Sequence, residues 1–260
     1  WQIYRVISPL GHELTMKPSQ SGFISGHSRS KLCREGHFSR CPQDEGSQIV
    51  SLLTDARPGM TVIDFCAGAG GKTLGLAAQM ARNETVDGSL IACDIYEGRM
   101  ARMQDRLHRA GIRGVDRHVL NVGTDPWIAE HTGTADRVLV DVPCSGSGTW
   151  RRHPEAKWRM TPQDLDEVLE TQDSILERAA ELVRQDGRLV YVTCSILPSE
   201  NEDRIAQFLA HRNDFHVVDV KDVWQNVIGG PVPERTGPYL RLTPWRTGTD
   251  GFFCAIVERR

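Results

Sequence analysis

Two cysteines in this chain of 260 residues stand where a thiol can do chemistry. Cys144 closes the run Asp141-Val-Pro-Cys144, and Cys194 closes Tyr191-Val-Thr-Cys194. Each follows an apolar stretch that reads as a buried strand. A lone buried cysteine is usually inert packing. Two at strand ends, beside a glycine-rich turn, point instead to covalent catalysis by a thiolate. Behind Cys194, the run Ser199-Glu-Asn-Glu202 reads as a capping box that opens a helix near Ser199. The N-terminus of that helix would then favour a thiolate at Cys194.

The glycine-rich turn spans Asp64-Phe-Cys-Ala-Gly-Ala-Gly-Gly-Lys-Thr73. Its ending, Gly71-Lys72-Thr73, invites a phosphate-loop reading, but Cys66 occupies the place of the required first glycine. The dinucleotide fingerprint fails as well, because Thr73 stands at its third glycine position. A turn remains whose glycines let backbone approach a ligand closely, with Asp94 at the end of the next strand. An acid there can accept hydrogen bonds from ribose hydroxyls. The combination suits a nucleoside without pyrophosphate, and S-adenosylmethionine is one. Beyond Cys144, the run Trp150-Arg-Arg-His-Pro-Glu-Ala-Lys-Trp158 interleaves cations with two tryptophans. That mixture suits stacked bases and phosphates, although either tryptophan alone reads equally well as core.

These groups need elements to position them. Met60 to Phe65, Ser89 to Asp94, Val115 to Leu120, Ala135 to Asp141 and Gly187 to Val192 read as strands. Helices are expected from the glycine turn to about Ala81 and from Glu97 to Ala110. A long helix should open with Thr161 as N-cap and Pro162 at the first helical position. Leu165, Val168, Leu169, Leu176, Ala179 and Val183 would form its buried stripe. Phe215 to Val220 and Phe252 to Val257 supply two late strands. Strands alternating with helices predict an α/β fold, a mostly parallel sheet covered on both faces. Ligands of such sheets bind at the carboxyl ends of the strands, where the glycine turn, Asp94, Asp141 and Cys194 should converge.

Composition narrows the class. With 39% apolar and 25% charged residues the chain suits a globular domain, not a fibre or a disordered tail. No apolar run approaches the roughly 20 residues of a membrane helix. Trp1 to Leu10 shows no basic stretch followed by an apolar one, so a cytoplasmic protein is expected, away from membranes; a monomer is expected as well. The net charge of -3 does not by itself suggest nucleic acid. Residues 1–43, however, carry Arg5, Lys17, Arg29, Lys31, Arg34 and Arg40 against Glu13 and Glu35, and read as an irregular basic arm or the remnant of an RNA-binding region. Residues 44–260 read as the catalytic domain. Seven widely spaced cysteines argue against a disulfide framework. No Cys-x-x-Cys pair occurs, and the spacing of His27, Cys33, His37 and Cys41 fits no common zinc module, so no metal site is expected.

From Pro42 onward the sequence resembles the NOP/Sun (RsmB-like) family of S-adenosylmethionine-dependent RNA cytosine-5 methyltransferases. The resemblance rests on Gln43-Asp-Glu-Gly-Ser-Gln48, Cys66 to Thr73, Asp141 to Cys144, Thr193-Cys194-Ser195 and Gly248-Thr-Asp-Gly-Phe-Phe253. It implies a class I, Rossmann-like methyltransferase fold with a mostly parallel seven-stranded sheet. It also implies that Cys194 attacks carbon 6 of cytosine, that Cys144 assists release, that Asp141 bonds the ring edge and that Lys72 adds favourable charge. Residue types alone leave the two thiol roles interchangeable. For the cofactor, S-adenosyl-L-methionine, the resemblance implies Cys66, Ala67, Gly68, Ala69, Gly70, Gly71 and Lys72, with Asp94 on the ribose, Asn121 near the adenine and Asp141 beside them.

Arg151 to Trp158 looks most like bacterial members acting on small-subunit ribosomal RNA, which makes 16S rRNA the expected partner and tRNA the alternative. Three departures stand out. Asn121 replaces the family's aspartate, Gly68-Ala69 replaces its commoner Ala-Pro, and residues 1–43 are short for its RNA-binding region. Two competing readings are a DNA cytosine-5 methyltransferase and a non-catalytic RNA-binding protein that kept the fold. The first lacks the strand-end Thr-Cys, and retention of both thiols, Asp94 and Asp141 speaks against the second.

Overall fold

The computed structural model describes residues 4–7, 13–16, 44–233 and 235–260. Near the start, β1 (Tyr4–Ile7) and β2 (Glu13–Met16) pair antiparallel, with Tyr4 opposite Met16. This corrects the expectation of a wholly irregular arm. Both four-residue runs are rich in β-branched and large apolar residues, which favour the pleated conformation even without a sustained period. The rest of that segment, including His27, Cys33, His37 and Cys41, lies outside the described residues.

From Asp44 on, strands and helices alternate as the sequence predicts. Helix α1 (Glu45–Leu53) precedes β3 (Thr61–Asp64), α2 (Gly71–Met80), the short β4 (Ala81–Arg82), β5 (Thr85–Asp94), α3 (Glu97–Arg109) and β6 (Arg113–Val119). There follow α4 (Pro126–Glu130), β7 (Ala135–Asp141), α5 (Pro162–Leu182), β8 (Val183–Thr193), α6 (Glu202–His211), β9 (Phe215–Val218) and α7 (Val220–Val227). Short β10 (Arg235–Thr236), β11 (Tyr239–Leu242) and α8 (Pro244–Thr247) lead to β12 (Phe252–Arg259).

One sheet holds the strands in the order β10-β11-β12-β8-β7-β3-β5-β4, with β6 also on β5 and β9 also on β12. Strands β6, β5, β3, β7 and β8 run parallel, and β12 is antiparallel to its neighbours. The seven expected strands form this frame, and β4, β10 and β11 are short additions. On the edge away from β8, strand β12 serves two partners, β11 along Phe252–Cys254 and β9 along Ile256–Arg259. The chain winds outward from β3 through β5 to β6, then returns to β7 and β8. The switch point, and with it the crevice, lies at the carboxyl ends of β3 and β7.

Alternation along the strands sorts the core into two layers, as the period of two requires. Val62, Val190, Val192, Cys254 and Ile256 join one layer with Leu53, Leu76, Met103 and Trp224. Ile63, Leu189, Tyr191, Phe253 and Ala255 join the other with Leu176, Ala179 and Phe208. Thr161 and Pro162 open α5 as expected, with a capping box closed by Asp164. Its stripe is only partly as read. Leu176 and Ala179 are buried, Leu165, Val168 and Leu169 are half-buried, and Val183 already belongs to β8.

The capping box at Ser199 does not form. Pro198–Glu200 is a single tight turn, α6 begins at Glu202, and Asn201 stands at its N-cap. The two buried side chains of that run, Glu200 and Asn201, are turned into the molecule instead. Among the described residues no helix is long and apolar enough to cross a membrane.

Candidate active site

The glycine turn joins the end of β3 to α2. Gly68 and Gly70 adopt left-handed backbone with φ of 57° and 80°. At Gly70, which caps α2, a Cβ would also lie 2.4 Å from Met103 Cγ, so the position needs glycine twice over. The Ala67 amide donates to Cys93 O at 2.9 Å, and Arg106 holds Ala69 O at 3.0 Å, which fixes the turn against β5 and α3.

Asp94, buried at the end of β5, accepts from the Gly68 amide at 2.8 Å and from the Tyr96 amide at 2.8 Å. Each carboxylate oxygen keeps a second lone pair for a ligand. Asn121 follows β6 and is exposed, its amide donating to Asp125 at 2.7 Å. The exposed apolar side chains of Ile95, Tyr96, Val119 and Val122 also lie at the ends of β5 and β6. Backbone glycines, a ribose-competent acid and an apolar rim fit a nucleoside cofactor. Among the described residues no cluster of His, Cys, Asp or Glu could hold a metal ion.

Beneath the turn lies a group the sequence reading did not single out. Asp64 is fully buried; burial pushes its carboxyl up to about 7, against the Thr73 hydroxyl bond of 2.7 Å and the nearby Lys72 charge. Cys66 is held well above the usual thiol range by burial and then by Asp141, so it stays a neutral thiol.

All four expected catalytic side chains meet across the crevice. Lys72 Nζ donates to Asp141 Oδ2 at 2.5 Å. Burial works to lower the Lys72 ammonium, and the Asp141 carboxylate outweighs it, leaving it above its ordinary range. Cys144 Sγ and Cys194 Sγ are 3.3 Å apart, and both residues are partly accessible. The hydrogen bond from Cys144, helped by the Lys72 charge, lowers Cys194 in spite of burial. The same bond, with burial, raises Cys144 well above the usual range. Of the two thiols, Cys194 is therefore the one that ionises more readily. The expected cause was wrong, since α6 starts too late to act as the helix N-terminus proposed for it.

Four further side chains complete the site. The carboxylate of Glu200 accepts from Ser145, Ser195 and Gln172, and all four are buried. The dipeptide Cys-Ser, repeated at positions 144 and 194, is the signal that could have found them. Around the rim, Arg151 donates to buried Asp250 at 2.5 Å and Arg152 pairs with the same carboxylate. Two of the cations read as phosphate partners are thus engaged within the protein. Trp158 is 81% exposed with Lys157 over its ring, and Trp245 is 91% exposed, while Trp150 is half-buried.

A doubly wound sheet with its crevice at the switch point, a glycine turn that suits a nucleoside and an acid on the next strand define the class I fold of S-adenosylmethionine-dependent methyltransferases. The chain belongs to the 16S rRNA methyltransferase RsmB/F family, whose sequence model matches residues 51–258. It is 36% identical over 218 residues to ribosomal RNA small subunit methyltransferase B of Yersinia pseudotuberculosis, covering 84% of this chain and 46% of that protein. To the probable ribosomal RNA small subunit methyltransferase B of Synechocystis it is 32% identical over 217 residues, covering 84% and 47%. A solved structure of a methyltransferase homolog protein from Pyrococcus horikoshii superposes with a TM-score of 0.67 at 29% identity, covering 85% of this chain and 68% of that one. The chain thus spans about half the length of the curated relatives it matches.

Proposed function

We propose that residues 44–260 form a catalytic unit that methylates carbon 5 of a cytosine in RNA, with small-subunit ribosomal RNA as the substrate. The observation that carries the reading is the thiol pair, 3.3 Å apart, with one member lowered and the other raised. Carbon 5 of cytosine is a poor nucleophile and needs covalent activation, and a base must then take its proton before the activating thiolate can leave.

The backbone of Cys66 to Lys72 and Asp94, with Asn121 and Asp141 alongside, would hold S-adenosylmethionine, which would supply an electrophilic methyl on a sulfonium. The Cys194 thiolate bonds to carbon 6 of the base, and electron density moves toward the ring nitrogen and carbon 5. Lys72 holds one oxygen of Asp141 and brings the positive charge that offsets the electron density building on the ring. The other oxygen of Asp141 accepts from the amino group on the ring edge. Carbon 5, so activated, is the nucleophile for the methyl that the bound cofactor would supply. With Cys194 now bound to carbon, the largest influence holding Cys144 protonated is gone. Cys144 gives its proton to solvent and takes the proton of carbon 5, and the freed electron pair restores the ring double bond and expels Cys194 as thiolate. The two relatives named above are called ribosomal RNA small subunit methyltransferases, which supports the choice of RNA.

The test uses labelled S-adenosylmethionine, undermethylated RNA and denaturing gels. Wild type is expected to give a cytosine-5 product. Cys144→Ala is expected to lose product and accumulate a protein–RNA adduct that survives denaturation. An adduct in a Cys194 variant instead would exchange the two roles, and neither product nor adduct would refute the reading. Sequencing the trapped RNA decides between ribosomal RNA and tRNA.

A further inference from the structure

Glu200 has no part in the chemistry above, yet it is fully buried beside it. Its Oε1 accepts from the Ser145 amide at 2.7 Å and from Gln172 Nε2 at 3.1 Å. Its Oε2 accepts from the Ser145 hydroxyl at 2.5 Å and from the Ser195 hydroxyl. Four donors on two oxygens leave no lone pair for a proton, the pattern of an ionised carboxylate. Ser145 directly follows Cys144, and Ser195 directly follows Cys194. One carboxylate therefore bonds the residue next to each thiol, across 55 and 5 positions of sequence. The same two loops are stitched again by Ser147, whose hydroxyl meets Ser195 Oγ at 2.9 Å and accepts from the Ile196 amide at 3.0 Å.

We propose that Glu200 is the positioning residue of the thiol pair: through Ser145 and Ser195 it fixes the two sulfurs at hydrogen-bond distance, and its buried charge keeps the shared proton on Cys144. The proposal deepens the two-thiol reading and rests on it for its catalytic meaning. The charged and titratable groups facing the pair divide unevenly. Lys72 from α2 and Arg152 from the loop after β7 act on Cys194, with Asp141 from β7 opposing them. Glu200 and Tyr191, from the turn before α6 and from β8, face Cys144. A cation on one side and an anion on the other polarise a dithiol that would otherwise be symmetric.

The test is the rate of alkylation by iodoacetamide at each cysteine, resolved by mass spectrometry at single modification, between pH 6 and 9.5, on the full chain without RNA or cofactor. In wild type Cys194 is expected to react about tenfold faster than Cys144 at neutral pH. Glu200→Gln keeps the size and much of the hydrogen bonding but removes the charge, and is expected to bring the two rates within about threefold. Ser145→Ala and Ser195→Ala each remove one strut and are expected to raise the pH midpoint of Cys194 toward that of an ordinary thiol. A purely structural Glu200 would lower the melting temperature of Glu200→Gln and leave the rate ratio as in wild type, and that result overturns the proposal. Should Glu200→Gln fail to fold, unchanged midpoints in both serine variants overturn it equally. Alkylation needs no substrate, so a protein that methylates no RNA would sink the proposed function and leave this result readable.

Discussion

The carboxyl edge of the sheet has two halves built from different materials. Over β3, β5 and β6 the site is backbone: amides of the glycine turn, two left-handed glycines and one carboxylate that pins them. Over β7 and β8 it is side chain: two thiols, a lysine–aspartate pair and a buried serine–glutamate network. A backbone-built half tolerates changes of side-chain chemistry and fails when a Cβ or its pinning acid is altered. A half built from side chains does the reverse, and its chemistry depends on individual atoms.

Substitutions can break that contrast. The largest effect is expected from Cys194→Ala, which should reduce methyl transfer by about a thousandfold or more while leaving cofactor affinity within about twofold. Calorimetry beside a turnover assay would show it, and substantial residual turnover would return the nucleophile's role to Cys144. Asp94→Ala attacks the other half. Loss of the pin and of the ribose contact should weaken cofactor binding about 10- to 100-fold, with little change in the rate at saturating cofactor. Equal losses in both quantities would mean that the halves are not separable.

Gly70→Ala should cost about 1–3 kcal/mol, from the left-handed backbone and the clash with Met103. It would show as a melting temperature lower by about 2–10 °C. An effect of similar size concerns Asp64, whose proton is retained up to about 7 in the folded state and lost near 3.8 in an ordinary aspartate. The native state then binds more protons than the unfolded one, so stability falls as pH rises through that window. Between pH 5 and pH 8 this amounts to about 2–3 kcal/mol, which Asp64→Asn should abolish in urea melts. A variant with the wild-type slope would show that Asp64 is ionised in the fold.

The same contrast explains what was legible beforehand. The glycine turn, Asp94, the Thr161-Pro162 start of α5 and both strand-end cysteines carry local signals, and the structure has each where it was expected. The thiol network carries none. Glu200 reaches Ser145 across 55 residues and Gln172 across 28, and a short polar run such as Ser199 to Glu202 looks the same whether it caps a helix or fills a core. Gln172 sits on α5 at a polar position that no periodicity marks as buried. The polarity of the dithiol was likewise misattributed, because hydrogen bonding between two distant loops leaves no trace in either loop alone.

Gly148 carries one more consequence. Its amide donates to Cys194 O and its carbonyl accepts from the Gly251 amide, both at 2.9 Å, and a Cβ there would meet Gly251 O at 2.5 Å. The loop that bears Cys144 is thus completed by residues translated about a hundred positions later. During synthesis the strands that carry the glycine turn and Asp94 can pair as soon as β7 has emerged. The thiol pair and the Glu200 network that joins its two loops are complete in sequence once residue 200 has emerged, and the segment leading into β12 then closes over Gly148 and locks the loop from outside.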